Sequence, residues 1–310
     1  SNPNPTRNEG LDESRVLRMH QAEIAGREAF ARARADGHVS WVKTCIPCPE
    51  WAAKVYPELP ADEALARLWD NIIQVVRLDA DDPVQAWIDH KNTIRAKKEK
   101  LNALDLRTLY FSGPGTDLEI GLVDKGTWVG GYDINQKDQS EYIPNVPTEE
   151  LFYVPHKYQI NGTVRATLPL NYNGTIIRDF GMTIQDGKVT EYHAGEGEQT
   201  LRGILEHDEG SCYFGEIALV PVQSPIYQIG RVFYDTLLDE NAVCHIALGS
   251  APASVVEGGS RMDPQQRDRI GINVSKIHVD FMIGSAQTNV DALTRDGQRV
   301  AIMREGDWVL

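Results

Sequence analysis

Cysteine is scarce in this sequence: 310 residues hold four, Cys45, Cys48, Cys212 and Cys244, too few for a disulfide framework in a chain of this length. A reducing, cytoplasmic setting is therefore expected. No run approaches the roughly 20 apolar residues of a membrane span, and residues 1–8 contain no apolar signal core. Positive charge is also short. Lys and Arg number 31 against 45 Asp and Glu, a formal net charge of −14, and such a surface repels phosphate backbones and anionic lipid. Nucleic acid and membrane are thus excluded as expected partners. Also missing are a Gly-x-Ser-x-Gly elbow and a helix after Gly113-Pro114-Gly115 or Gly130-Gly131, as a phosphate loop would need. Cys45 and Cys48 have no second Cys-x-x-Cys to complete a zinc site. Pro47 between them, without a βαβ context, argues against a redox pair.

What is present is a 41% hydrophobic fraction, enough to fill a core, and two textures along the chain. Leu17, Ala22, Ile24, Ala25, Ala29 and Phe30 recur at helical spacing, predicting a helix from residue 11 to about 36. After a Pro- and Cys-rich loop at residues 45–49, helices are predicted over Ala61 to Val76 and from Asp82-Pro83 through Lys100, with Asp82 as cap and Pro83 in the first turn. From Thr108 short β-like runs alternate with Gly, Asn and Asp, and Asp186-Gly187 reads as a hairpin turn. Helical interludes are predicted near Glu198 to Glu206 and Ile226 to Leu238. The expected class is α+β: a helical segment over residues 1–105, then a β-rich metal-binding domain with mixed or antiparallel sheets over residues 106–310.

Four segments place polar donors at the mouths of apolar strands. In Ile277-His278-Val279-Asp280-Phe281-Met282-Ile283-Gly284 the imidazole and carboxylate lie two apart, so a strand projects both from one face. Alone, this also reads as a structural His–Asp pair. In Leu238-Asp239-Glu240-Asn241-Ala242-Val243-Cys244-His245 the spacing predicts a helix end turning into a strand, although Asp239-Glu240 alone reads as a solvated loop. One acid opens the apolar run Gly215-Glu216-Ile217-Ala218-Leu219-Val220-Pro221; it is either exposed at the edge or neutralised by a cation. A fourth acid stands at the lip of Thr148-Glu149-Glu150-Leu151-Phe152. Together Glu150, Glu216, Glu240, His245, His278 and Asp280 supply mixed oxygen and nitrogen donors suited to Zn²⁺, Co²⁺ or Mn²⁺. By contrast, His90, His156, His193 and His207 group with nothing and read as surface or core histidines.

With these segments assembled, the chain resembles the thermophilic-type metallo-aminopeptidases, the family of aminopeptidases T, S and II. The resemblance covers nearly the whole sequence. It runs through Asp82-Pro83-Val84-Gln85-Ala86-Trp87, Pro114-Gly115-Thr116-Asp117-Leu118, Pro147-Thr148-Glu149-Glu150, the Glu216 and His278 runs, and Asp239-Glu240-Asn241. It implies a centre of two divalent ions held by Glu150, Glu216, Glu240, His245, His278 and Asp280, with Glu216 bridging. It also implies a homodimer that removes N-terminal residues from peptides with a free N-terminus through a metal-bridged hydroxide. Glu216 and Glu149 are the catalytic candidates; Glu149, the nearest carboxylate outside the ligand set, would shuttle a proton to the leaving amine. Relatives carry a further α/β region ahead of the position matched by residue 1, of which residues 1–105 would be a remnant. They also carry a Tyr seven residues after the His of the Asp-Glu-Asn segment. Pro252 stands there in this chain, so a phenol able to donate to a developing oxyanion is absent.

Two rival readings stay open at this point. His245, His278 and Asp280 alone form the two-His, one-carboxylate set of ferrous oxygenases, and relatives of the fold include ring-cleaving dioxygenases, but a single iron would not need Glu150, Glu216 and Glu240. Pro252 motivates the other: a catalytically impaired homologue that binds peptide or metal.

Overall fold

The computed structural model describes residues 37–310 without a break, residues 26–35, and scattered positions before them. The helix predicted from residue 11 lies partly outside the described residues; within them, α1 spans Glu28–Ala35. The chain divides into two compact units, residues 1–79 with 131–147 and residues 80–130 with 148–310.

In the first unit, α2 (Pro49–Val55) begins inside what reads as a Pro- and Cys-rich loop. Pro49 occupies the first helical turn, where its missing N–H costs nothing. The helix packs on α3 (Ala61–Val75), whose Ala64, Leu68, Ile72 and Val75 recur at helical spacing and are buried, as are Trp51, Ala52 and Val55 of α2.

The second unit opens with α4 (Pro83–Ala103), started as its sequence predicts: Asp82 Oδ1 accepts from Gln85 N at 3.0 Å, and Pro83 fills the first turn. Besides a short hairpin of Leu170–Tyr172 with Thr175–Ile177, twelve strands follow: β1 (Leu106–Gly113), β2 (Thr116–Leu122), β3 (Leu151–Tyr153), β4 (Pro155–Arg165), β5 (Gly181–Gln185) and β6 (Lys188–His193). Then come β7 (Phe214–Leu219), β8 (His245–Gly249), β9 (His278–Met282), β10 (Asn289–Thr294), β11 (Arg299–Arg304) and β12 (Asp307–Trp308). Asp186 and Gly187, with φ of 49° and 80°, join β5 to β6 as a two-residue turn with both central residues left-handed. Helix α5 (Glu198–Leu205) falls where the first interlude is predicted. The second interlude is two helices rather than one, α6 (Pro225–Ile229) and α7 (Thr236–Asp239), because Gly230 ends the first in a left-handed conformation. Helix α8 (Pro264–Arg269), opened by an Asp263–Gln266 capping box, is an addition to the prediction.

The twelve form an eight-stranded sheet in the order β6-β5-β4-β2-β1-β10-β11-β12 and a four-stranded sheet in the order β9-β8-β7-β3. Every pairing within them is antiparallel, in keeping with the α+β expectation. Leu109, Phe111, Leu118 and Ile120 of the large sheet share one buried cluster with Ile217, Leu219, Ile246, Leu248, Val279 and Phe281 of the small one. The Phe281 ring lies 5.4 Å from Phe180 and 6.4 Å from Phe214, within aromatic contact range. One face of the small sheet is therefore committed to the core. No helix among the described residues is long and apolar enough to cross a membrane.

Candidate metal centre

Residues opposite one another in an antiparallel pair share a face. Across the small sheet Glu216, Ala247 and Asp280 form one row, Ala218, His245 and Met282 the next, and Gly249 and His278 a third. Phe152 pairs with Ala218, so two-residue alternation returns Glu150 to the same face. The odd-numbered partners Ile217, Val279 and Phe281 turn into the core. This arrangement depends on a bulge at Gly215. The β7–β8 register shifts between Phe214 and Glu216, so Phe214 meets Leu248 in the core while Glu216, two residues on, meets Ala247 on the other face. Gly215 has no room for a side chain: a Cβ would lie 2.4 Å from Ser250 O and 2.5 Å from Gly249 O. Ala218, Ala247 and Gly249 put almost no bulk among the polar groups.

Five of the six expected donors converge. His245 Nε2 is 3.2 Å from Glu150 Oε2 and 3.7 Å from Glu216 Oε1. On the other side, His278 Nε2 is 3.2 Å from Asp280 Oδ1 and 3.8 Å from Glu216 Oε2. Two triads result, Glu150–Glu216–His245 and Glu216–His278–Asp280, the ligand atoms of each lying within 4.8 Å of one another. Glu216 belongs to both. The first triad is enclosed and the second opens outward, since the His245 side chain is 1% exposed and that of His278 37%. Glu240, at the end of α7, is half-buried and outside both triads.

Glu150 Oε2, both ring nitrogens of His245 and Asp280 Oδ1 are buried without a hydrogen-bond partner. Buried polar atoms are normally paired, so orphans gathered within two such triads are what cations would satisfy. The donor chemistry fits a divalent ion. Titration points the same way. Burial pushes the Glu216 carboxyl up against the pull of His245 and His278, and burial with the charges of Asp280 and Glu150 raises Glu240 well above its ordinary value. Burial opposes charge on both imidazoles, yet Glu150 and Glu216 lift His245 well above the usual range, and Asp280 and Glu216 bring His278 up to about 10. For Asp280, burial is outweighed by His278, which holds the carboxyl low. Protons here do the work of cations.

Backbone and side-chain props fix these groups. His278 Nδ1 lies 2.7 Å from Ser250 O; a carbonyl only accepts, so Nδ1 carries the proton and Nε2 offers its lone pair to the cluster. Gly130, at φ 144°, lets the chain pass Glu150: a Cβ there would sit 2.2 Å from Glu150 O. Asn241, fully buried, accepts from Glu149 N at 2.7 Å and donates to Leu237 O at 2.9 Å. That ties the Glu149-Glu150 segment to the end of α7. His90, which the sequence groups with nothing, donates from Nε2 to Thr148 O at 2.7 Å and stands 3.6 Å from Glu149 Oε2. Its separation of 58 residues from Thr148 left no local spacing to reveal it. Pro252 begins the 3₁₀ turn Ala253–Val255 and offers no donor.

A buried carboxylate–imidazole cluster with orphaned acceptors marks the class as metal-dependent enzymes. Residues 1–308 match the family described as thermophilic metalloprotease (M29), and the chain belongs to that family. Aminopeptidase 2 of Geobacillus stearothermophilus is 40% identical over 306 residues, 99% of this chain and 74% of that protein. Aminopeptidase T of Thermus aquaticus is 41% identical over 310 residues, 100% and 75% of the two chains. Among solved structures, wild-type AmpT from Thermus thermophilus matches with a TM-score of 0.92 at 39% identity, covering 100% of this chain and 75% of that one. The 2,5-dihydroxypyridine dioxygenase from Pseudomonas putida KT2440 matches with a TM-score of 0.52 at 14% identity, covering 92% and 76%. That likeness is one of fold alone.

Proposed function

We propose that this chain is a dinuclear metallo-aminopeptidase, its centre formed within residues 106–310. The observation that carries the reading is Glu216, one carboxylate shared by two triads in which Glu150, His245 and Asp280 hold buried, unpaired atoms. Glu150 and His245 would hold one ion, His278 and Asp280 the other, with Glu216 between them and Glu240 adding negative charge nearby. Two divalent ions supply a water acidified to a pKa of about 7 and a Lewis acid for the carbonyl. The chain's own residues do the rest. The acid-rich face attracts the ammonium of a free peptide N-terminus. Glu149, with its backbone pinned by Asn241 and its carboxylate beside His90, would pass a proton to the departing amine. Zn²⁺, Co²⁺ and Mn²⁺ suit the donors equally. A homodimer, which the resemblance implies, would be the working form, and four cysteines in 310 residues fit a cytoplasmic setting.

The test is metal content with turnover: two divalent ions per chain and release of free amino acid from unblocked aminoacyl amides are expected. Lack of turnover with Zn²⁺, Co²⁺ and Mn²⁺ alike would overturn it, and one iron per chain would favour the oxygenase. A second reading, an impaired homologue, draws on Pro252. If a missing phenol is the sole defect, Pro252→Tyr raises kcat on the order of 10²-fold; an already active wild type rules the reading out.

A further inference from the structure

We infer that Asn273 is a positioning residue for the His278 side of the centre, acting through the Ser250 carbonyl; the inference rests on the metal-centre reading above. Asn273 is 1% exposed and lies on the segment leading into β9. Its carboxamide nitrogen donates to Gly210 O at 2.8 Å and Gly249 O at 2.6 Å, while its backbone carbonyl accepts from Ala251 N at 3.1 Å. One residue thus holds the chain on both sides of Ser250. The Ser250 amide donates to Ile277 O at 2.7 Å, which leaves its carbonyl facing His278 Nδ1 at 2.7 Å.

The carboxamide orientation follows from its surroundings. Reversed, it would press Oδ1 against two carbonyl oxygens, which only accept. As placed, Oδ1 is buried and has no hydrogen-bond partner, so the two donors decide the position. An outer partner that fixes a ligand imidazole governs both its tautomer and its direction. Here that partner is a main-chain carbonyl, and a carbonyl can be aimed only by holding the chain around it. Asn241, by contrast, is bonded to the Glu149 backbone beside the other triad and makes no hydrogen bond with residues 249–251 among the described residues. It serves as the control.

Metal-free protein is titrated with Zn²⁺ in competition with a chelator, giving a dissociation constant for each ion. Asn273→Asp keeps the shape but replaces the donors by acceptors; Asn273→Ala removes both; Asn273→Ser retains one. Expected in the Asp and Ala variants is one ion bound ~10–100-fold more weakly with the other unchanged, and a smaller loss in the Ser variant. In a His278→Ala background the Asn273 substitutions should have no further effect, whereas Asn241→Ala should add its full loss. Losses at 273 and 278 that simply add, or wild-type affinity for both ions in the Asn273 variants, overturn the inference. Failure of the wild-type protein to bind two ions would instead sink the metal-centre reading.

Discussion

The two faces of the four-stranded sheet are built by the same strands and obey opposite rules. One carries Ile217, Leu219, Ile246, Leu248, Val279 and Phe281, all buried against apolar neighbours, where each side chain fills space and contributes through area removed from water. The other carries Glu216, His245, His278 and Asp280 around Ala218, Ala247 and Gly249, where the side chains leave space and four polar atoms of the cluster are unsatisfied. The first face stabilises the fold; the second costs stability until a cation arrives. Adjacent residues on a strand thus serve contrary ends, and substitutions can separate them.

The largest effect is expected from Glu216→Gln. Turnover should fall at least about a thousandfold, ~4 kcal/mol in barrier, with both ions weakened, while the metal-free protein unfolds at the same or higher urea concentration because one buried carboxylate is gone. Substantial turnover in this variant would break the shared-ligand assignment. Phe281→Ala, one residue from Asp280 on β9, should do the reverse: a loss of ~3–5 kcal/mol in urea unfolding, with two ions still bound under conditions where the protein stays folded. Metal itself is the next lever. At ~100 times the dissociation constant, each independent ion should add about 2.7 kcal/mol to stability, seen as a lower melting temperature in excess chelator.

The smallest effect is that of pH on the metal-free protein. The folded-state pKa values of His278 and Asp239 are raised, to about 10 and about 8, and those of Glu216 and Glu240 are raised as well. A raised value means the folded state holds protons more tightly. The stabilisation is complete below the unfolded values and is lost as pH climbs through the folded ones. The urea midpoint should therefore fall between about pH 6 and pH 9 without metal, while metal affinity rises over that range as ions displace protons. Equal midpoints at both ends would argue against protons filling the cluster.

Much of this was legible in the sequence because strand periodicity is local. His278 and Asp280, two apart, had to share a face, and Glu216 had to lie at the start of its apolar run. What joins the strands is register, which depends on partners far along the chain. His90 and Asn273 act through such distant contacts and gave no local sign. Helix α8 escaped for another reason: none of its residues is buried, so it has no apolar stripe for a periodic reading to find, although its capping residues were present. In α2 a proline read as part of a loop, Pro49, was a helix start.

Strand β7 is, in effect, written in two reading frames. Before Gly215 an even-numbered residue, Phe214, belongs to the core; after it the even-numbered positions, Glu216 and Ala218, belong to the metal-binding face. Deleting that one glycine would restore plain alternation, with Phe214 still turned to the core and Glu216 still turned to the other face, and would remove only the kink between them. A one-residue insertion or deletion further along β7 would instead act as a frameshift in space, turning every side chain beyond it to the opposite face. The segment's length is accordingly as much a part of the centre's specification as any residue that donates to it, and insertions or deletions here should be tolerated far less than substitutions on the surrounding loops.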